Sequence, residues 1–181
     1  MALLDTDRLS LREFTSSDVD NLYALHGDPG VMRFINGGKA TPREVIENEL
    51  LPRILRNRDR WAAIERASGE FVGWFSLKAV PGEPSERELG YRLHTKAWGK
   101  GYATEGSRAL IRYGFTELGL TRVVANTMTV NTASRRVMEK CGLTYLRTFH
   151  LPWPDQIEGT EQGDVEYALT RADWLDQRIE T

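Results

Sequence analysis

Strand-like and helix-like segments alternate along this chain, which predicts a mixed α/β fold around one twisted sheet. Two kinds of segment carry the prediction. "RLSLREF" (8–14) has the period-two alternation of a half-buried strand, and "ATEGSRALIRYGFTELG" (103–119) has helical spacing with a glycine at its end. The third observation is that the 181 residues show no repeat, low-complexity run or linker. One domain over 1–181 is expected, since that length is ample for one core and short for two.

Each element has a local reason. Leu9 and Leu11 give the first strand its buried side. "TSSDVDNLYALHG" reads as a helix capped by Thr15 or Ser16, with Leu22 and Leu25 inward and Gly27 after its end. "DPGVMRFI" reads as a short helical turn. A longer helix follows Thr41-Pro42 and runs to about Arg58, because proline suits the first turn. "RWAAIER" and "EFVGWFSLKAV" are strands joined at Ala67-Ser68-Gly69. "ERELGYRL" (86–93) is a strand with Leu89, Tyr91 and Leu93 on one face and Glu88, Gly90 and Arg92 on the other.

In the helix after the glycine stretch, Ala103, Gly106, Ala109, Leu110, Tyr113 and Leu118 are expected to share a face, with Gly119 just past the end. "TRVVANTMTV" is a strand. "NTASRRVMEKCG" is a helix with Asn131 as its cap, Val137, Met138 and Cys141 inward, and Gly142 ending it. Strands at about 143–150 and 163–170 flank the loop "LPWPDQIEGTEQ".

Composition excludes several classes. A formal charge of -2 and a pI near 6.0 argue against nucleic-acid binding. No apolar run approaches the roughly 18 residues that span a bilayer, and no signal peptide is visible, so a cytoplasmic protein without a membrane partner is expected. The single cysteine forms no internal disulfide. His26, His94 and His150 lack zinc-ligand spacing, so no metal is expected.

The stretch "WGKGYATE" (98–105) sets flexible backbone where a helix begins. It is either a tight strand-to-helix turn or an anion site. A helix start leaves amides unpaired, here those of Gly99, Lys100, Gly101, Tyr102, Ala103 and Thr104, and glycines let a pyrophosphate approach them. Lys96 and Lys100 would add charge at its rim. A P-loop is excluded because Gly101 stands where Ser or Thr must follow Gly99-Lys100. A dinucleotide fingerprint is excluded because Thr104 stands at the third glycine position, and the stretch follows a fourth strand rather than a first.

"ELGYRL…WGKGYATEGSRALIRYGF" followed by "RVVANTMTVNTASRRVMEKCGL" resembles the GNAT superfamily of acetyl-CoA-dependent N-acetyltransferases, from "TDRLSLREF" to "GDVEYALTRADW". Within it the chain looks like the branch holding the Rim-type ribosomal-protein N-terminal acetyltransferases. The family's pyrophosphate motif maps to Trp98, Gly101 and Ala103; Trp98 departs from the usual Gln or Arg but is usual in that branch. Its Asn-x-x-Ser signature maps to Asn131 and Ser134. The resemblance implies a GNAT-type fold: six to seven mostly antiparallel strands flanked by helices, splayed between the fourth and fifth strands ("ERELGYRL" and "TRVVANTMTV"), where pantetheine pairs with freed backbone. It also implies acetyl-CoA as co-substrate and an oxyanion donor on the backbone near Leu93.

Acetyl transfer to an amine requires a base, an oxyanion donor and a proton for the departing thiolate. Ser134, in the first turn of its helix, is the candidate acid; the other reading is a serine that caps the helix and binds CoA. Many relatives place a tyrosine four residues later, where this chain has Met138. Glu88 is the candidate base, or else a structural carboxylate; relatives often carry glutamate there. Arg135 and Arg136 either reach the CoA 3′-phosphate or form a solvated basic face. Cys141 reads as packing.

On the acceptor side, residues 151–170 hold Asp155, Glu158, Glu161, Asp164 and Glu166 and no lysine or arginine, beside Trp153. That is either an acidic lip that draws in a cationic amine or a solvated loop. The expected activity is direct acetyl transfer to a primary amine, on a protein N-terminus or a cationic small molecule, by a monomer or homodimer. The alternative is a non-catalytic CoA-binding sensor, against which the retained Glu88, Asn131 and Ser134 weigh.

Overall fold

The computed structural model describes residues 2–179, and the side chains of 3–179. Among them are eight strands: β1 (Ala2–Asp5), β2 (Leu9–Glu13), β3 (Arg60–Glu65), β4 (Phe71–Val80), β5 (Glu83–Leu93), β6 (Arg122–Met128), β7 (Thr144–Phe149) and β8 (Asp164–Thr170). The helices are α1 (Val19–His26), α2 (Pro29–Asn36), α3 (43–57), α4 (Tyr102–Thr116), α5 (Thr132–Lys140) and α6 (Arg171–Ile179). The sheet order is β1-β2-β3-β4-β5-β6-β8-β7. The chain divides into two compact units, residues 1–76 with 91–106, and 77–90 with 107–181.

In the first unit, β1 to β4 pair antiparallel in sequence order. β1 is the strand beyond the six to seven expected; "ALLD" is too short to show a period. Leu9 and Leu11 are buried, as their alternation requires. Thr15 closes a capping box with Asp18 ahead of α1, where Leu22 and Leu25 face inward. The expected turn after His26 is a full helix, α2, because the Asp28 side chain accepts from the Gly30 and Val31 amides and Pro29 opens the first turn.

α3 contains a π-helical turn over Ile46–Leu50. Pro52 cannot donate to the carbonyl four residues back, and Leu51 N–H reaches Ile46 instead. Its Ile46, Leu50, Leu51 and Ile54 pack with Leu22, Leu25, Phe71 and Trp74 as the unit's core.

Asp18 is almost wholly buried, and it accepts from both terminal nitrogens of Arg12, the Thr15 amide and Asn21. Burial pushes its carboxyl up, but the bonds from Arg12, Thr15 and Asn21 outweigh that and hold it below the usual carboxylate range. Stability from a depressed pKa is fully present above the unfolded value and is lost as pH falls through the folded one. Asp18→Asn is therefore expected to cost about 2 kcal/mol at neutral pH. In denaturant titrations the gap to the parent should narrow below about pH 4, the unfolded carboxylate range; a gap independent of pH would refute the ion-pair account.

In the second unit, β6 pairs parallel with β5 and antiparallel with β8, and β7 closes the edge antiparallel to β8. α4 buries Tyr102, Gly106, Leu110, Ile111 and Phe115. This corrects the expected face: Ala103, Ala109 and Tyr113 are only half-buried, and Leu118 lies exposed beyond the end. Gly119 adopts a positive φ of 65° as expected, and Leu120 N–H turns back to the Gly114 carbonyl at 3.0 Å. α6 was not expected, although "TRAD" carries its start signal: Thr170 Oγ1 accepts from the Asp173 amide and donates to its carboxylate. No described helix is long and apolar enough to cross a membrane.

Candidate active site

After β5, a short 3₁₀ turn at Thr95–Ala97 leads through Trp98 to Gly99, Lys100 and Gly101. Asp28 of the α2 cap steadies this turn, accepting from the Thr95 hydroxyl at 2.7 Å and its amide at 3.2 Å. Trp98 is exposed, but its indole N–H donates to the Leu93 carbonyl at 2.9 Å. Gly99 and Gly101 have φ of 71° and 81°, which side chains rarely adopt. A Cβ at Gly99 would meet nothing within 4 Å, so the loop's outer face is bare.

The loop is clamped from the other end of the sequence. Arg8 Nη1 donates to the Lys100 carbonyl at 2.7 Å, Arg8 Nε to Glu105 Oε2 at 2.7 Å, and the guanidinium lies 4.6 Å from the Tyr102 ring centre. Glu105 also accepts from the Thr6 hydroxyl at 2.6 Å and the Arg8 amide at 2.8 Å. Burial raises its carboxyl, but the Thr6 and Arg8 bonds hold it below the usual range, so its charge is matched by Arg8 rather than left facing the loop. The Tyr102 hydroxyl is tied to Glu65. Glu105 N–H donates to the Gly101 carbonyl at 3.0 Å, which places the helix start at the glycine loop, where backbone amides and the helix dipole favour an anion. Sequence reasoning missed Thr6, Arg8 and Glu105.

In the second unit, the β5–β6 ladder is registered only from Glu86 with Arg122 to Glu88 with Val124, although β5 runs on to Leu93 and β6 to Met128. With β1 counted, these are the strands expected to splay. Glu88 is half-buried on the last registered rung. Past the ladder, Asn126 Oδ1 is buried with no partner among the described residues, an acceptor that the sequence did not single out.

Asn131 caps α5, its side chain accepting from the Ser134 amide at 3.3 Å, which leaves half-buried Ser134 in the first turn. Arg135 is braced inside the unit: Nε donates to the Tyr167 hydroxyl and Nη1 to the Thr129 carbonyl, both at 3.1 Å. These bonds engage two of the five N–H donors of its guanidinium. Arg136 is exposed. Burial pushes the Cys141 thiol up to about 11, so it is protonated near neutral pH and suits packing rather than nucleophilic attack.

The loop before β8 is less uniformly acidic than its sequence. Asp164 is buried, and burial raises its carboxyl against the pull of the Trp153 indole and His150. Glu166 pairs with Arg147 of β7 at 3.3 Å. Asp155, Glu158 and Glu161 remain as the exposed acids, beside half-buried Trp153.

A clamped glycine loop opening a helix offers backbone donors to an anion such as a pyrophosphate. The Acetyltransferase (GNAT) domain family model matches residues 8–144, and the chain belongs to the GNAT acetyltransferase family. The FsC-acetyl coenzyme A-N(2)-transacetylase of Aspergillus fumigatus is 47% identical over 184 residues, 95% of this chain and 77% of that one. The uncharacterized N-acetyltransferase p20 of Bacillus licheniformis is 33% identical over 76% of this chain and 80% of its own length. The GNAT-family acetyltransferase structure from Bacillus anthracis superposes with a TM-score of 0.77 at 27% identity, covering 92% of this chain and 97% of that one. The chain is an acetyl-CoA-dependent N-acetyltransferase acting on an amine.

Proposed function

We propose that the acceptor is a primary amine on a small molecule and that the acetyl group passes to it directly. The observation that carries this reading is the 47% identity to the FsC-acetyl coenzyme A-N(2)-transacetylase, over most of both chains. The Rim-type alternative, a protein N-terminus, draws on Trp98, which replaces the family's usual Gln or Arg.

Acetyl-CoA brings a thioester-activated acetyl group. The amides of Gly99, Lys100, Gly101, Tyr102, Ala103 and Thr104 hold its pyrophosphate, and the Arg8–Glu105 clamp keeps them aimed before it arrives. Asn126 Oδ1 offers an acceptor for a pantetheine amide. The backbone N–H near Leu93 meets negative charge as it develops on the carbonyl oxygen. Glu88 takes the proton that makes the amine nucleophilic, and Ser134 donates one to the departing sulfur.

Trp153, Asp155, Glu158 and Glu161 draw in the ammonium form, which dominates because a lysine-like amine has a pKa of about 10.4. Changing the three acids to amides should raise the acceptor KM, and added salt should mimic the change. If salt and substitution both leave KM alone, the loop plays no part. The acceptor class is tested by thiol release with small amines against peptides bearing a free N-terminus. Turnover of peptides alone would transfer the function to the Rim-type reading.

A further inference from the structure

Within the first unit, two arginines crowd one tryptophan, and no carboxylate is hydrogen-bonded to either among the described residues. Arg60 at the start of β3 lies 4.0 Å from the Trp74 ring centre, and Arg92 of β5 lies 5.2 Å from it. Among the described residues neither guanidinium forms an ion pair. Arg92 Nη1 lies 3.3 Å from His26 Nε2 and 3.9 Å from Met32 Sδ, a neutral ring nitrogen and a weak thioether acceptor, and neither carries a balancing negative charge. Three buried polar atoms around them have no hydrogen-bond partner among the described residues: Arg60 Nε, Trp74 Nε1 and Ser76 Oγ.

The surroundings deepen the imbalance. Burial and the two arginines push His26 down to about 3, so it stays neutral. Burial pushes Arg60 and Arg92 to about 10 each, helped for Arg92 by its repulsion from Arg60, yet both remain charged at neutral pH. Asp59, the residue before Arg60, attracts the Arg60 charge through space without a hydrogen bond, and Arg53 of α3 offsets part of that attraction with a third positive charge.

Cations held partly out of water, as half-buried Arg60 and Arg92 are, are ordinarily paired, and buried polar atoms without a partner call for an explanation. Ring faces can hold guanidinium groups, but they leave the forked N–H donors unmatched, and those donors fit a carboxylate. We propose that Arg60 and Arg92, flanking Trp74, bind a carboxylate of the acceptor, so that the substrate is an amine that also carries an acid group. This rests on the reading of the chain as a small-amine acetyltransferase, and it narrows the acceptor to the amino-acid class.

The test is calorimetric titration of the CoA-saturated protein with L-lysine and with cadaverine, which lacks only the carboxylate. Lysine should bind at least tenfold more tightly, the fold-change of about one charge-assisted contact. Arg60→Met and Arg92→Met should each erase that preference without weakening CoA, and Arg92→Lys should keep part of it. Their melting temperatures should not fall, since an unmatched charge held partly out of water is removed; a marked fall in both, with the lysine preference intact in Arg60→Met and Arg92→Met, would mark the arginines as structural and overturn the proposal. Equal binding of the two ligands, with thiol released from both, overturns the carboxylate site and leaves acetyl transfer standing. Carboxylate-dependent binding with no thiol release from any amine supports the site and contradicts the transfer reading.

Discussion

Gly101→Val is expected to weaken acetyl-CoA binding on the order of 1000-fold while the chain still folds. The φ of 81° at this position is costly for any side chain and worst for a β-branched one. A Cβ there would also lie 3.4 Å from Arg8 Nη2, so the valine methyls would press on the guanidinium that fixes the loop. Losing the aim of two amides toward a charged group removes about 3–6 kcal/mol, hence the magnitude. Calorimetry with acetyl-CoA measures the loss, and circular dichroism checks the fold. Gly99→Val should act in the same direction with less effect, because nothing lies within 4 Å of its Cβ. Unchanged affinity in Gly101→Val would remove the loop from the binding site.

Ser134→Ala is expected to lower kcat by roughly 100- to 10,000-fold, the range for one lost general acid. The acetyl-CoA dissociation constant should change little. The substitution keeps the backbone amide that Asn131 Oδ1 accepts, so the α5 cap survives and the hydroxyl alone is removed. Stopped turnovers with equilibrium binding separate the two quantities. If affinity and turnover fall in parallel, Ser134 holds the cofactor and the proton comes from elsewhere.

What was legible in the sequence was local. Caps and turn glycines placed α1, α4 and α5, alternation placed β2 and β5, and a hairpin turn placed β3 and β4, because those signals act between residues a few positions apart. The full length of α2 was legible in Asp28-Pro29 but went unread, as did the Thr170 cap of α6. The π turn of α3 follows from Pro52, yet spacing alone does not say which carbonyl Leu51 will take. The buried face of α4 was misjudged because glycine and alanine fit either face, and the neighbours decide: a Cβ on Gly106 would lie 2.2 Å from Phe75.

The candidate site divided the same way. Its glycine pair, Asn131 and Ser134 lie in contiguous motifs. The Arg8–Glu105 clamp joins residues 97 positions apart and leaves no spacing to recognise. The acidic loop read as one charge because sequence does not show that β7 brings Arg147 to Glu166 or that Asp164 is buried. Arg60 and Arg92 were illegible for a related reason: arginine on a strand ordinarily signals a solvated face, and only the fold turns both toward Trp74.

The most direct test of acetyl transfer is release of CoA thiol from acetyl-CoA on adding a small primary amine, with mass analysis of the amine. The expected result is stoichiometric thiol and an acceptor heavier by one acetyl group, at a rate that Gly101→Val and Ser134→Ala both depress. Tight acetyl-CoA binding with no acetylated product from any amine or peptide would contradict it and identify a CoA-binding module without turnover.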